Sequence, residues 1–199
     1  MTSATITDRL VALSRALIGR IRGGLAQVNV LVSMFFAGMN GSVVADTATV
    51  GALVLPAMKK AGYPAAFSAA VTGVSSTIGG IIPPSIMMIV LANATEISIA
   101  SLFAAGVIPG ILIGVVIMVI NHYFAVKHNF ERSDEPFSVR RAGKELYRSS
   151  FALLIPLVLV GSVMGGVASV VEAGAITALV ALFTGVFVYR TIKWKDCTG

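Results

Sequence analysis

Long apolar stretches without a charged residue alternate with short basic clusters along this chain of 199 residues. A helix needs roughly 20 residues to cross the hydrocarbon core of a bilayer. Four uncharged stretches reach or exceed that length, and they run over 23–45, 62–95, 97–126 and 149–171. The pattern therefore predicts an all-α integral membrane protein.

The amino-acid composition narrows the class further. Hydrophobic residues make up 56% of the chain and charged residues only 12%, whereas about a quarter of an ordinary soluble domain is charged. This balance excludes a soluble globule and an intrinsically disordered chain. One cysteine and two histidines exclude a disulfide-stapled domain and a Cys/His metal site. In so apolar a chain, the net charge of +6 is typical of loops that face the cytoplasm rather than of nucleic-acid binding.

The stretch from residue 24 to residue 58 is interrupted in its middle. Residues 37–42 and then Asp46 leave two apolar arms of about 14 residues, each too short to span a bilayer alone. A re-entrant hairpin, with both ends on one membrane face, places all fifteen Lys and Arg residues on that face. A single crossing would instead divide them into four and eleven. The positive-inside rule favours the hairpin and places the basic loops in the cytoplasm.

The stretch 62–95 predicts a broken crossing. As one helix it would extend about 50 Å, well beyond a hydrocarbon core of about 30 Å. Because glycines and prolines interrupt it at 79–85, we expect two half-helices with an unwound middle. Three further transmembrane helices are predicted over 97–126, 149–171 and 173–190.

The remaining segments are predicted to lie outside the hydrocarbon. In 1–23, apolar residues recur at steps of three and four among arginines, which is typical of an amphipathic helix in the membrane interface. An arginine-rich, acid-poor start is also typical of a mitochondrial presequence, but here it leads directly into the hairpin. Residues 127–148 predict a cytoplasmic linker and 191–199 a cytoplasmic tail. Glu96 and Glu172 mark turns on the opposite face.

Polar residues concentrate at the two interruptions, 39–49 and 75–85. Breaks in membrane helices are tolerated only where they line a cavity that is enclosed by protein or filled with water. Freed carbonyl groups, with Ser, Thr and Asn oxygens, can replace the water around a hard monovalent cation such as Na⁺, while half-helix N-termini can face an anion. The two interruptions are therefore a candidate binding site.

Asp46 is the only acid within the predicted membrane segments away from their ends. An ionisable group there is a functional candidate, as a cation ligand or as a group that orients the hairpin tip. Alternatively, it caps the N-terminus of the second hairpin arm. Other polar residues at the breaks have a structural alternative as contacts between helices: Asn40, Ser42, Ser75, Ser76 and Thr77.

Five runs of residues, taken together and in order, carry a family resemblance. They are GLAQVNV at 24–30, GMNGSVVAD at 38–46, LPAMKKAGY at 55–63, SSTIGGIIPPS at 75–85 and LFAAGVIPG at 102–110. The set resembles the large membrane subunit of tripartite ATP-independent periplasmic (TRAP) transporters over essentially the whole chain. The resemblance implies a sodium-coupled secondary transporter, not an enzyme, in the bacterial inner membrane. It also implies a small membrane subunit and a periplasmic binding protein that delivers a small organic anion, often a carboxylate.

The resemblance further implies an elevator-type fold with inverted repeats, in which the first hairpin tip and the unwound loop hold one sodium ion and part of the substrate pocket. Carried over to this chain, the candidate sodium site consists of Asn40, Gly41, Asp46, Ser75, Thr77 and Gly79. The candidate substrate-binding residues are Ser42, Ser76, Pro83 and Pro84. No catalytic residue and no organic cofactor are expected.

Two features depart from the family pattern. The family's large subunit is about twice as long, so we expect helices before residue 1 and a second hairpin after Gly199 to be missing, and we do not expect this chain to transport alone. Gly80 stands where a proline is common in relatives. The resulting interpretation is an elevator-type transporter fragment with one re-entrant hairpin, one broken helix and about three further transmembrane helices.

Other classes of protein stay open on the residues alone. A channel with a re-entrant selectivity loop would share the broken segments but would conduct passively without sodium. An accessory structural membrane subunit is a further alternative, which gains support if the chain truly ends at Gly199. An intramembrane protease of the two-aspartate kind needs a second buried acid. The predicted membrane segments offer no such partner for Asp46, so this class is disfavoured.

Overall fold

The computed structural model describes residues 2–18, 21–130 and 139–183. Within these ranges the regular elements are helices, in agreement with the predicted all-α class. They are α1 (Thr2–Ile18), α2 (Gly24–Asn40), α3 (Val43–Lys60), α4 (Ala65–Ser76), α5 (Ile86–Thr95), α6 (Ile99–Lys127), α7 (Val139–Met164) and α8 (Val170–Phe183), with a 3-10 turn at Thr77–Gly80.

Helices α2 and α3 form a helical hairpin. Helix α2 ends where Gly41 adopts a left-handed conformation with φ of 59°. Helix α3 begins after Ser42, whose hydroxyl accepts a hydrogen bond from the Ala45 amide at 3.4 Å. The arms have 17 and 18 residues and are longer than predicted, because Asp46 lies inside the first turn of α3 and does not interrupt it. An acidic side chain is favourable there, near the positive end of the helix dipole. That the hairpin is re-entrant stays a prediction.

The chain between residues 62 and 95 forms two short helices. Helix α4 has 12 residues and α5 has 10. They are separated by the 3-10 turn and by an irregular stretch that contains a cis bond between Pro83 and Pro84. Proline has no amide hydrogen to continue a helix, and α5 starts only after Ser85, whose hydroxyl accepts from the Met88 amide. That this element crosses the membrane stays a prediction.

Helix α6 is the one helix of the described ranges that is long and apolar enough to span a bilayer, judged by length and composition. Three glycines lie on its buried face. A Cβ at any of them would overlap a side chain of the neighbouring elements, so they let α6 approach closely. The pairs are Gly106 with Met88, Gly110 with Ile82, and Gly114 with Met34.

The last two helices differ in their bounds from the predicted crossings. Helix α7 begins inside the predicted linker, because residues 139–148 are rich in strong helix formers such as Arg, Lys, Glu and Leu. It ends at Met164 rather than near residue 171. The chain turns just after this end, at Gly166, which has a φ of 67°. The tail 191–199 and the end of the predicted crossing 173–190 lie outside the described residues.

Helix α1 packs against α2 and α7. Leu10 and Leu13 of its predicted apolar stripe are fully buried, whereas Leu17 and Ile21 are 42% and 40% exposed. Much of the stripe therefore contacts protein, and a position in the membrane interface stays a prediction.

Helix α2 lies at the centre of the fold, in contact with α1, α3, α4, α6 and α7. A helix that is apolar on all sides is buried by its neighbours, and Val28, Val30 and Val32 are all buried here. Polar side chains enclosed in such a helix must find partners within the protein. Helix α2 buries three of them, namely Gln27, Asn29 and Ser33.

Candidate functional site

The hairpin tip, residues 40–46, is joined to the loop between α4 and α5, residues 77–85. The Gly41 carbonyl accepts a hydrogen bond from the Ile86 amide at 3.2 Å. The two backbones are so close that a Cβ on Gly41 would overlap the carbonyl group of Pro84. Together with the left-handed backbone, this close approach requires glycine at position 41.

Gly79 lies on the other side of this junction between tip and loop. A Cβ on Gly79 would stand 3.7 Å from the carbonyl oxygen of Ser42 and 3.8 Å from the Cβ of Asp46. These are van der Waals separations, so the backbone of the loop packs directly against the first turn of α3. The first turn of α3, with Asp46, is therefore covered by the loop.

Asp46 is buried at the junction without a partner. Its side chain is 1% exposed, and neither carboxylate oxygen has a hydrogen-bond partner among the residues described. Burying a carboxylate in this way is costly unless a counter-charge or several donors compensate. The interpretation of Asp46 as the cap of α3 is wrong, because Ser42 occupies the capping position.

A chain of buried polar side chains leads from Asp46 into the interface between α2 and α4. The hydroxyls of Ser33 and Ser76 lie beside the carboxylate. Ser76 Oγ donates to the Thr72 carbonyl at 2.8 Å, and Ser33 Oγ lies 3.3 Å from Ser75 Oγ. The Ser76 bond directs its proton into α4, whereas Ser33 can donate either to Ser75 or to the Asp46 carboxylate beside it.

Asn29 connects the two helices at the far end of this chain. Its Nδ2 donates to Thr72 Oγ1 at 2.7 Å, and its Oδ1 accepts from Ser75 Oγ at 3.2 Å. Ser75 thus stands between Asn29 and Ser33, whose hydroxyl oxygen is 3.3 Å from its own. We call Asn29, Ser33, Thr72, Ser75 and Ser76 the polar network.

The predicted site residues occupy three kinds of position. The structure brings one group together at the junction: Gly41, Ser42, Asp46, Ser76, Gly79 and Pro84. Pro83 is buried in the loop, and Ser75 belongs to the polar network. Asn40 and Thr77 are exposed, and Thr77 Oγ1 donates to the Val74 carbonyl of its own helix at 2.7 Å.

Sequence reasoning missed three residues of the polar network, Asn29, Ser33 and Thr72. It concentrated on the helix breaks, whereas these residues lie inside α2 and α4. Spacing was the available signal. Asn29 and Ser33 are four residues apart, and so are Thr72 and Ser76, so each pair lies on one face of its helix.

The junction offers hard oxygen donors, namely the Asp46 carboxylate, serine hydroxyls and main-chain carbonyls. Such donors suit hard cations rather than soft ones. No group of three or more His, Cys, Asp or Glu side chains that could hold a metal ion occurs in 2–18, 21–130 or 139–183. One negative charge among neutral oxygens fits a monovalent cation such as Na⁺.

Two broken helical segments that meet tip to loop in a strongly apolar, helical protein are typical of secondary transporters, whose binding sites are built from discontinuous helices. Comparison with known proteins is more specific. The family described as "Tripartite ATP-independent periplasmic transporter, DctM component" matches residues 1–199. The chain belongs to this family, which confirms the resemblance seen in the sequence.

Individual relatives are transporter permeases. The chain is 36% identical to the C4-dicarboxylate TRAP transporter large permease protein DctM of Pseudomonas aeruginosa, over 99% of this chain and 46% of that protein. It is 35% identical to the sialic acid TRAP transporter large permease protein SiaM of Vibrio cholerae, over 96% of this chain and 45% of that protein. The isethionate TRAP transporter permease protein DctMQ of Oleidesulfovibrio alaskensis is 31% identical, over 99% of this chain and 32% of that protein. The chain thus spans about half the length, or less, of these curated relatives.

Proposed function

We propose that this chain forms part of a sodium-coupled secondary transporter that imports a small organic anion, such as a carboxylate. Membership of the TRAP large permease family supports the transport function. The relatives named above for C4-dicarboxylate, sialic acid and isethionate support an organic anion as the substrate class.

The observation that carries sodium coupling is the buried, unpartnered carboxylate of Asp46. A monovalent cation beside it would supply the missing counter-charge. Lone pairs of neighbouring hydroxyls and carbonyls would complete the coordination, as at Ser76, whose proton is engaged by the Thr72 carbonyl. The proposed ligands are drawn from Asn40, Gly41, Asp46, Ser75, Thr77 and Gly79, with Asp46 as the charged member.

The proposed place for the anion is the same junction. Because Gly41 is bonded to Ile86, the N-termini of α3 and α5 lie side by side. Helix N-termini carry partial positive charge and favour a bound carboxylate. Ser42, Ser76, Pro83 and Pro84 are the proposed lining of this part of the pocket.

Closeness of the two proposed sites provides a physical basis for coupling. The negative charge of Asp46 alone would repel an incoming anion. A bound Na⁺ would offset that charge, so each ligand would raise the affinity for the other by the same factor. Transport of the anion would then depend on sodium.

The complete transporter is proposed to lie in the bacterial inner membrane with its basic loops in the cytoplasm. It would work with a small membrane subunit and with a periplasmic binding protein that delivers the anion. The description of the family as tripartite and periplasmic supports these partners.

The test is uptake by the complete transporter in proteoliposomes at graded sodium concentrations, with C4-dicarboxylates and sialic acid as the first substrates. We expect Asp46→Asn to raise the sodium concentration for half-maximal uptake at least about tenfold, because the charged ligand is lost. Ser42→Ala should mainly raise the substrate concentration needed.

Thr47→Val is the matched control. Thr47 follows Asp46 on α3, is exposed, and bonds only its own helix through the Val43 carbonyl at 2.8 Å. Its sodium dependence should stay within about twofold of the unsubstituted protein. An unchanged sodium dependence in Asp46→Asn would sink the site, and passive flux without sodium would favour the channel.

A further inference from the structure

Asn29 lies about three helical turns before the end of α2, away from the hairpin tip. It is fully buried, and both polar atoms of its side chain, Nδ2 and Oδ1, have a hydrogen-bond partner. Nδ2 donates to Thr72 Oγ1 at 2.7 Å and also faces Met58 Sδ at 3.7 Å, while Oδ1 accepts from Ser75 Oγ at 3.2 Å. Asn29 thus links α2 to both α3 and α4.

These partners fix which way the carboxamide faces. Thr72 Oγ1 donates its only proton to the Ser68 carbonyl at 2.9 Å, so it can only accept from Asn29. The nitrogen of Asn29 must therefore face Thr72, and the oxygen must face Ser75. Met58 agrees, because its sulfur is an acceptor without a proton to give.

Ser75 has one other acceptor within reach, the Thr72 carbonyl at 3.1 Å. That carbonyl already accepts the shorter bond from Ser76 at 2.8 Å. A carbonyl oxygen has two lone pairs, so Ser75 can donate to either oxygen, and the bond to the Asn29 carboxamide is the one that directs its proton to the α2 side. Ser33 Oγ lies 3.3 Å from Ser75 Oγ and beside the Asp46 carboxylate, so Ser75 connects Asn29 to the surroundings of Asp46.

Proton direction matters because a hydroxyl coordinates a cation only through its lone pairs. We propose that Asn29 is a positioning residue of the cation site: its carboxamide accepts the proton of Ser75, a proposed sodium ligand, and so leaves the lone pairs of that hydroxyl available to the cation. This inference rests on the proposed function, since it assigns Asn29 a role that acts through a proposed sodium ligand.

The test uses Na⁺ alone as the probe, with the purified complete permease in detergent. Thermal stability is measured against sodium concentration, with ionic strength held constant by potassium. We expect Asn29→Ala to raise the sodium concentration for half-maximal stabilisation about tenfold, as loss of a residue that orients metal ligands commonly does.

Gln27→Ala is the matched control for lost stability. Gln27 lies two residues earlier on α2 and is buried as well, but its Nε2 donates to the Met118 carbonyl on α6 at 2.8 Å. Its replacement should lower the melting temperature while the sodium midpoint stays within about twofold. A purely structural Asn29 would behave in the same way as Gln27.

Two further variants keep the test open if Asn29→Ala does not fold. Thr72→Val keeps the side-chain shape and removes the acceptor that orients Asn29, so a rise of about threefold in the sodium midpoint is expected. The double variant Ser75→Ala with Thr72→Val should raise the sodium midpoint no more than the larger of the two single effects, because both substitutions act through one hydroxyl. Additive effects would contradict the proposal.

Failure of this inference is distinguishable from failure of the proposed function. If the unsubstituted permease shows no stabilisation by sodium over potassium, the sodium site itself is wrong and the role of Asn29 falls with it. If sodium stabilises the permease but Asn29→Ala and Thr72→Val leave the midpoint unchanged, only the positioning role is overturned.

Discussion

Helices α2 and α6 are both strongly apolar, but they lie in different surroundings. Helix α2 is enclosed by five other helices and buries Asn29 and Ser33 among valines. Helix α6 buries one face through glycines and exposes large apolar side chains on the other, among them Ile108, Leu112, Val115 and Val119. Hydropathy therefore does not distinguish the helix that buries polar side chains from the helix suited to face lipid. Polar residues spaced so that they share one face of a helix do distinguish them.

The physical reason lies in hydrogen bonding. Lipid tails offer no donors or acceptors, so a polar side chain is stable only where protein surrounds it. The enclosed side of the molecule, formed by α2, α3, α4 and the loop, satisfies this condition, and the outward face of α6 does not. Two matched pairs of substitutions test the contrast between enclosed and open positions, and a single substitution probes an exposed helix start.

The largest expected effect is at the hairpin tip. Gly41 and Gly62 both have a positive φ, of 59° and 79°, but only Gly41 has a close neighbour, the Pro84 carbonyl group. Gly41→Ala should destabilise the complete permease by about 3 kcal/mol or more, from backbone strain together with overlap. Gly62→Ala, with strain alone, should cost about 1 kcal/mol. Denaturant titration in mixed micelles measures both, and equal costs would refute a tight junction between tip and loop.

A smaller effect is expected for valine truncation. Val30 on α2 is 0% exposed and Val119 on α6 is 64% exposed. Val30→Ala should cost about 1–2 kcal/mol because it leaves a cavity. Val119→Ala should stay within about 0.5 kcal/mol, because lipid or detergent refills the space. The same titration reports both values. A similar cost at Val119 would mean that another part of the complete permease covers this face.

The smallest effect is expected at an exposed turn. Glu172, in the first turn of α8, accepts hydrogen bonds from the Ser169 hydroxyl and amide at 2.7 and 2.8 Å, and these lower the pKa of its carboxyl. Ser169→Ala should bring this pKa back toward its ordinary value, as NMR titration of a selectively labelled glutamate would show. Because the pKa of Glu172 is lower in the folded protein than in the unfolded chain, the hydrogen bonds stabilise the fold fully when the pH is above the unfolded pKa. This stabilisation is lost as the pH falls through the lower, folded pKa. An unchanged pKa would contradict the capping interaction.

Much of the fold was predictable because it is written in local patterns. Uncharged runs predicted helices, and Gly41, Pro83 and Pro84 marked the places where helices end. The capping of α3 was not predictable, since Ser42 and Asp46 are both good capping residues and only the path of the chain decides between them. The pairing of Asn29 with Ser75 was not predictable either, because it joins residues 46 positions apart through tertiary packing.

The bond between the Gly41 carbonyl and the Ile86 amide joins main chain to main chain. Among the amino acids, only proline at position 86 would remove its donor, and the Ile86 side chain is 54% exposed. Apart from position 41, where a side chain would overlap the Pro84 carbonyl group, side chains around the junction can therefore vary without loosening the link that aligns the starts of α3 and α5. A junction built in this way can change its lining while its framework stays unchanged.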